Sequence, residues 1–156
     1  MVPGSRRPSL EKVVEEKMSS STKEENILAP DAPLLGGAQH LNWSRIPIEH
    51  PAEGIERQMV VGDHMMICRF RFAPLLVTPQ HTHPHEQMSI VVSGRVRFFV
   101  EGAERIASPG DVLHFPSNCR HGATMLDQAV VLIDIFTPVR EDFLETKAAN
   151  KDPNPG

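Results

Sequence analysis

From residue 42 to residue 136 the chain never runs far before a turn interrupts it. Breaks fall at Glu53-Gly54, Gly62-Asp63, Ser93-Gly94, Glu101-Gly102, Pro109-Gly110-Asp111 and Asp127, spaced roughly every eight to twelve residues, the rhythm of an all-β domain. Ser93-Gly94 and Glu101-Gly102 have tight-turn chemistry between apolar runs. The strands predicted between the breaks are Asn42–Ile48, Ile55–Val61, Met65–Phe72, Gln87–Val92, Arg95–Val100, Arg105–Ala107, Val112–Phe115, His121–Met125 and Val130–Phe136. No segment repeats internally, so these strands belong to one barrel. So many short strands present many unpaired edges, and a closed or sandwiched β-barrel removes them.

Alternation gives the facing. In Met65–Phe72, Met66, Cys68, Phe70 and Phe72 share one side, with Ile67, Arg69 and Arg71 on the other. In Val130–Phe136, Val130, Leu132, Asp134 and Phe136 share a face. Asp134 stands out there, because a buried carboxylate needs a partner, a ligand or a shifted pKa. With 156 residues, 40% of them hydrophobic, the chain has material for one core. Before the barrel, residues 1–38 carry Pro3, Pro8, Pro30, Pro33, three consecutive serines and Gly36-Gly37. They are expected to be a flexible segment with at most a short helix at Leu10–Lys17. Met18 is an equally good starting residue, which makes residues 1–17 read as an upstream extension. The barrel is expected over 39–140, with a short tail over 141–156.

A formal net charge of −4 gives no general attraction to nucleic acid or to an anionic membrane. No apolar run approaches the roughly 20 residues of a membrane span, and the polar N-terminal segment has no signal-peptide core. A cytoplasmic location is the expectation. Two cysteines, Cys68 and Cys119, are too few for a disulfide framework and read as ordinary thiols.

The chemistry concentrates in "TPQHTHPHEQMSIVVSG". His81 and His83 lie two apart, so on an extended segment their imidazoles point to one side, and Gln87 keeps that parity. Glu86 points the other way. A further ligand has to arrive from another strand, and His121 offers itself after the turn "FPSNCR". Neutral imidazole is a preferred ligand for Zn, Ni, Fe and Cu, and three imidazoles plus one side-chain oxygen leave open positions for a substrate. His85 and His114 read as neighbouring or strand histidines rather than ligands.

These spacings resemble the cupin superfamily of small β-barrels, with their jelly-roll, or double-stranded β-helix, fold. The first cupin motif, Gly-x5-His-x-His-x3-Glu-x6-Gly, is matched by His81-x-His83-x3-Gln87-x6-Gly94. The second, Gly-x5-Pro-x-Gly-x2-His-x3-Asn, is matched by Gly110-x5-Pro116-x-Asn118-x2-His121-x3-Met125. The resemblance implies one divalent ion (Zn, Ni, Mn or Fe) on His81, His83, Gln87 and His121. Four positions depart from the pattern: Leu75 and Asn118 replace glycines, Met125 replaces asparagine, and Gln87 replaces glutamate. Asn118 tolerates the left-handed conformation that the glycine would adopt. The neutral Gln87 leaves a bound ion its full charge, which favours Lewis-acid work over redox chemistry.

Within the superfamily, "HTHPHEQ" and "DIFTPVREDF" are similar to the pectin-degradation cupins, which linearise 4,5-unsaturated monouronates to open-chain keto sugars. That resemblance implies that Asp134, Phe136 and Arg140 line the pocket beside the metal, and that the small-molecule substrate is carboxylated. A bidentate arginine suits a uronate carboxylate, and Asp134 suits proton transfer. Three other classes stay open: a metal-dependent dioxygenase, a non-catalytic small-molecule-binding module, and a metal-dependent polyketide or small-molecule cyclase. A cupin lyase with a tyrosine base does not fit a chain without tyrosine. Small cupins of this kind usually pair, so a homodimer is expected, with Asn42–Ile48 or Ile55–Val61 covering an edge.

Overall fold

The computed structural model of the chain describes residues 34–149. The expectations for residues 1–33, the Leu10–Lys17 helix among them, lie outside the described residues, as does the end of the chain beyond residue 149. The described residues before Asn42 form a unit of their own, containing one 3-10 turn at Leu35–Gly37.

From Asn42 onwards the described chain forms ten antiparallel strands and one helix. In chain order they are β1 (Glu49–Ala52), β2 (Ile55–Val61), β3 (Met66–Phe72), β4 (Val77–His81), β5 (Glu86–Ser93), β6 (Val96–Val100), β7 (Ala103–Ala107), β8 (Val112–Phe115), β9 (His121–Met125), β10 (Val130–Thr137) and helix α1 (Glu141–Ala149). One sheet has the order β1-β2-β3-β10-β5-β8, the other β4-β9-β6-β7. This is the jelly-roll arrangement. No helix among the described residues is long and apolar enough to cross a membrane.

Side-chain alternation sorts β3 as its pattern predicts, and the core-facing row of β10 is the expected one. Met66, Cys68, Phe70 and Phe72 of β3 and Val130, Leu132 and Phe136 of β10 point into the core. Val96 and Phe98 of β6 and Ala123 and Met125 of β9 meet them from the second sheet. Asp134 sits in the same row, opposite Cys68 on β3 and Ser89 on β5.

The structure corrects the sequence reading at two places. Asn42–Ile48, expected as a strand, instead opens with a 3-10 turn at Trp43–Arg45. Asn42 Oδ1 accepts the Ser44 N–H at 2.9 Å, offering the backbone an alternative to a ladder, and Pro47 has no N–H to give one. Gln58 Nε2 then donates to the carbonyls of Trp43 and Ile46. Ile55–Val61, expected as a segment that could cover an edge, lies inside its own sheet between β1 and β3. Two strands were not predicted: Glu49–Ala52, which pairs with β2, and Val77–His81, which pairs with β9.

Two residues that replace motif glycines keep the glycine backbone. Leu75 has φ 62° and Asn118 has φ 64°. Leu75 is 72% exposed, so its side chain gives little packing in return for a left-handed conformation that costs an L-residue about 1–2 kcal/mol. Leu75→Gly is therefore expected to stabilise the fold by about 0.5–1 kcal/mol after the greater unfolded-state entropy of glycine is counted. Urea unfolding measures this, and a lower midpoint for the variant would contradict it.

Candidate active site

His81 ends β4, and His121 opens β9 directly across from it. The close approach of these strands depends on Gly122, where a Cβ would lie 2.9 Å from the Thr78 carbonyl oxygen and 3.0 Å from the Gln80 backbone. His83 follows in the loop before β5, and its carbonyl accepts the Asn118 N–H at 2.8 Å. The left-handed Asn118 thereby ties the second histidine motif to the first. The ligand atoms of His81, His83 and His121 all lie within 4.8 Å of one another.

The orientation of the rings follows from their hydrogen bonds. Each Nδ1 donates to a backbone carbonyl two residues away: His81 to Pro79 at 2.9 Å, His83 to His85 at 3.0 Å and His121 to Cys119 at 2.9 Å. Carbonyl oxygens only accept, so these bonds select one tautomer and leave each Nε2 with a lone pair. Phe115 stacks on His121 at 4.4 Å, and Phe136 meets His83 edge-on at 5.9 Å. Burial, then the charges of Arg140 and His121, hold His83 down at about 4 against the opposing Gln87 bond. Burial likewise lowers His121. Both rings are neutral at pH 7 and have no proton to displace.

Two features make this cluster fit a cation. His121 Nε2 is buried and has no hydrogen-bond partner. His83 Nε2 faces Gln87 Oε1 at 3.1 Å. With Nδ1–H bonded to a carbonyl, this contact brings two lone pairs together, and the other neutral tautomer only moves the conflict to the His85 carbonyl. A cation held by Nε2 and Oε1 removes it. Neutral imidazoles and an amide oxygen are a donor set that takes a divalent first-row ion.

Beyond Gln87 the polar groups continue inward. Gln87 Nε2 donates to Ser89 Oγ at 2.9 Å, and Ser89 Oγ donates to Asp134 Oδ1 at 2.6 Å. Burial pushes the Asp134 carboxyl up to about 7, opposed by the Ser89 bond and the Arg140 charge. Arg140 is not paired with Asp134. Its Nε and Nη2 grip Asp142 at 2.9 and 2.6 Å, and its guanidinium lies 5.3 Å from the Phe136 ring centre and 4.2 Å from that of Phe143. Glu86 faces away, as its parity requires, and pairs with His114 at 2.7 Å.

His81, His121, Gln87, Asp134, Phe136 and Arg140 line one cavity of about 280 Å³. That lies near the lower end of the roughly 300–1,000 Å³ of small-molecule sites, a size suited to one sugar ring rather than a polymer. Sequence reasoning missed three wall residues: Ser89, Arg57 and Phe143. Arg57 is 4% exposed. It pairs with Glu49 at 3.0 Å and lies 4.6 Å from the Phe143 ring centre, so Phe143 packs against two guanidiniums. The register of Arg57 opposite Phe70 turns it inward.

Comparison with known proteins agrees with this fold. The profile of the cupin domain matches residues 68–136. The chain belongs to the cupin superfamily. Within it, the chain is similar to the pectin degradation protein KdgF of Dickeya dadantii, with 37% identity over 101 residues covering 63% of this chain and 91% of the relative. The structure of KdgF from Halomonas sp. superposes with a TM-score of 0.65 at 29% identity, covering 68% of this chain and 98% of that one. An RmlC-like cupin from Shewanella frigidimarina superposes with a TM-score of 0.64 at 31% identity, covering 68% and 96%.

Proposed function

We propose that this protein is a metal-dependent, non-redox enzyme that opens the ring of a 4,5-unsaturated uronate to its linear keto form. The observation that carries this reading is the buried Asp134, a carboxyl brought close to neutral pH in the same cavity as the His81 and His121 imidazoles and the Arg140 guanidinium, with His83 completing the histidine cluster. The likeness to KdgF, named for pectin degradation, supports the substrate class.

The chemistry balances without an oxidant. A proton leaves the C1 hydroxyl, the C1–O5 bond breaks to give an aldehyde and a C5 enolate, and a proton adds at C4 to give the C5 ketone. The groups of this chain divide that work. Asp134 Oδ1 is occupied by Ser89, so Oδ2 is the oxygen that takes the hydroxyl proton and returns one to C4. A carboxyl at about 7 populates both forms near neutrality, as a group that must accept and then donate requires. Arg140 spends Nε and Nη2 on Asp142, leaving Nη1 for the sugar carboxylate. Phe136 and Phe143 give the ring an apolar wall that excludes water. A divalent ion on His81, His83, His121 and Gln87 supplies Lewis-acid stabilisation of negative charge on oxygen when bound.

Gln87→Glu tests the neutral ligand. A carboxylate has no N–H for Ser89 Oγ, and the single Ser89 proton is then shared between two acids. The variant is expected to keep its metal and to turn over more slowly; unchanged turnover with metal retained would contradict the charge argument. The proposal as a whole is tested by following the C4–C5 double bond of unsaturated galacturonate by ultraviolet absorbance. A no-enzyme control is needed, because the ring also opens unaided.

A further inference from the structure

Three side chains of the cavity wall, Gln87, Ser89 and Asp134, form a line with His83 at its outer end. Ser89, in the middle, is fully buried. The sheet builds this line directly. Gln87 and Ser89 are two apart on β5 and share a face, and Ser89 is the register partner of Asp134 on β10.

A hydroxyl has one proton. Ser89 gives its proton to Asp134 Oδ1 at 2.6 Å, so it meets Gln87 with a lone pair and accepts from Nε2 at 2.9 Å. With a cation held between Oε1 and His83 Nε2, the Gln87 amide then has one satisfied orientation, Oε1 turned to the metal position. A reversed amide would set its oxygen against the Ser89 oxygen, with the only proton already spent on the carboxylate. We infer that Ser89 is a positioning residue: it transmits the acceptor character of Asp134 to Gln87 and so decides that Gln87 presents its oxygen, not its N–H, to the metal position. This rests on the proposed metal site.

The consequence of losing Ser89 is twofold. The amide becomes free to turn, and Oε1 leaves the ligand set. The N–H that replaces it donates to His83 Nε2 and occupies the lone pair that would ligate. Partners of metal ligands typically contribute 10–100-fold to affinity, and Ser89→Ala is expected to weaken zinc by that factor.

The test uses the full chain, stripped with EDTA and dialysed, with zinc affinity measured by competition against a chromogenic chelator. Wild type is expected to bind one zinc. Ser89→Ala should bind 10–100-fold more weakly, and in a Gln87→Ala background the same substitution should change affinity by less than about two-fold, since no amide remains to orient. A folded Ser89→Ala that binds like wild type would overturn the inference, as would an equal loss in both backgrounds. Should circular dichroism show Ser89→Ala unfolded, Asp134→Asn takes its place, because it removes a buried charge and its amide N–H can turn the Ser89 proton towards Gln87. A loss confined to the Gln87 background supports the inference. An equal loss in both is the field of the missing carboxylate and overturns it. Wild type that takes up no zinc would overturn the metal site itself, and the inference with it.

Discussion

Asp134→Asn is expected to leave a folded protein that opens unsaturated uronates 10²–10⁴-fold more slowly, the usual cost of losing a general acid–base. The side chain keeps its shape but carries no transferable proton. The same variant should be more stable than wild type in alkaline buffer. Burial raises the Asp134 carboxyl to about 7 in the fold from 3.8, so between these values the native state binds more protons than the unfolded chain. Stability contributed by the protonated acid is complete below about pH 4 and is lost as pH rises through 7. Asparagine has no such dependence. In metal-stripped protein its advantage should be absent at pH 4 and reach the order of a few kcal/mol at pH 8. Thermal melts across that range, beside single-turnover rates, measure both effects. A variant with wild-type turnover, or one less stable at pH 8, would contradict the role given to Asp134.

The second large effect concerns the imidazoles. Replacing His83 and His121 together by alanine is expected to abolish metal binding and reduce catalysis to the uncatalysed rate. Structural zinc sites are worth about 10–16 kcal/mol over four ligands, so two ligands account for roughly 10⁴–10⁶-fold in affinity. The barrel itself should persist, because both Nδ1 bonds are local, to His85 and Cys119. Added zinc should raise the melting temperature of wild type and leave the double variant unmoved. Elemental analysis that finds stoichiometric metal in the double variant would contradict the assignment.

Much of this was legible in the sequence because it rests on parity and spacing. His81, His83 and Gln87 share a side through the two-residue repeat of an extended chain, and Asp134 and Phe136 face inward by the same repeat; the cavity is lined by all of these but His83, whose ring meets Phe136 at 5.9 Å. The two departures from the motif glycines kept the left-handed backbone that the motif demands. What was missed depends on distant contacts. Val77–His81 contains Pro79 and is largely exposed, and only the ladder with β9 makes it a strand. Asn42–Ile48 looked like a strand until Asn42 turned its side chain onto its own backbone. Arg57 shares the parity of Ile55 and Met59, but its charge reads as a surface residue until the carboxylate of Glu49 is found beside it. Ser89 is one hydroxyl in an apolar strand, and nothing local distinguishes it before Asp134 comes to lie opposite.

The most direct measurement is the decay of the C4–C5 double-bond absorbance of 4,5-unsaturated galacturonate with metal-loaded protein, EDTA-stripped protein, stripped protein re-supplied with metal, and no protein. The expected result is a first-order decay well above the no-protein rate with loaded protein, abolished by stripping and restored by metal, with the open-chain keto acid as product. Decay at the no-protein rate in all four samples, with alginate-derived as well as pectin-derived monomers, would contradict it.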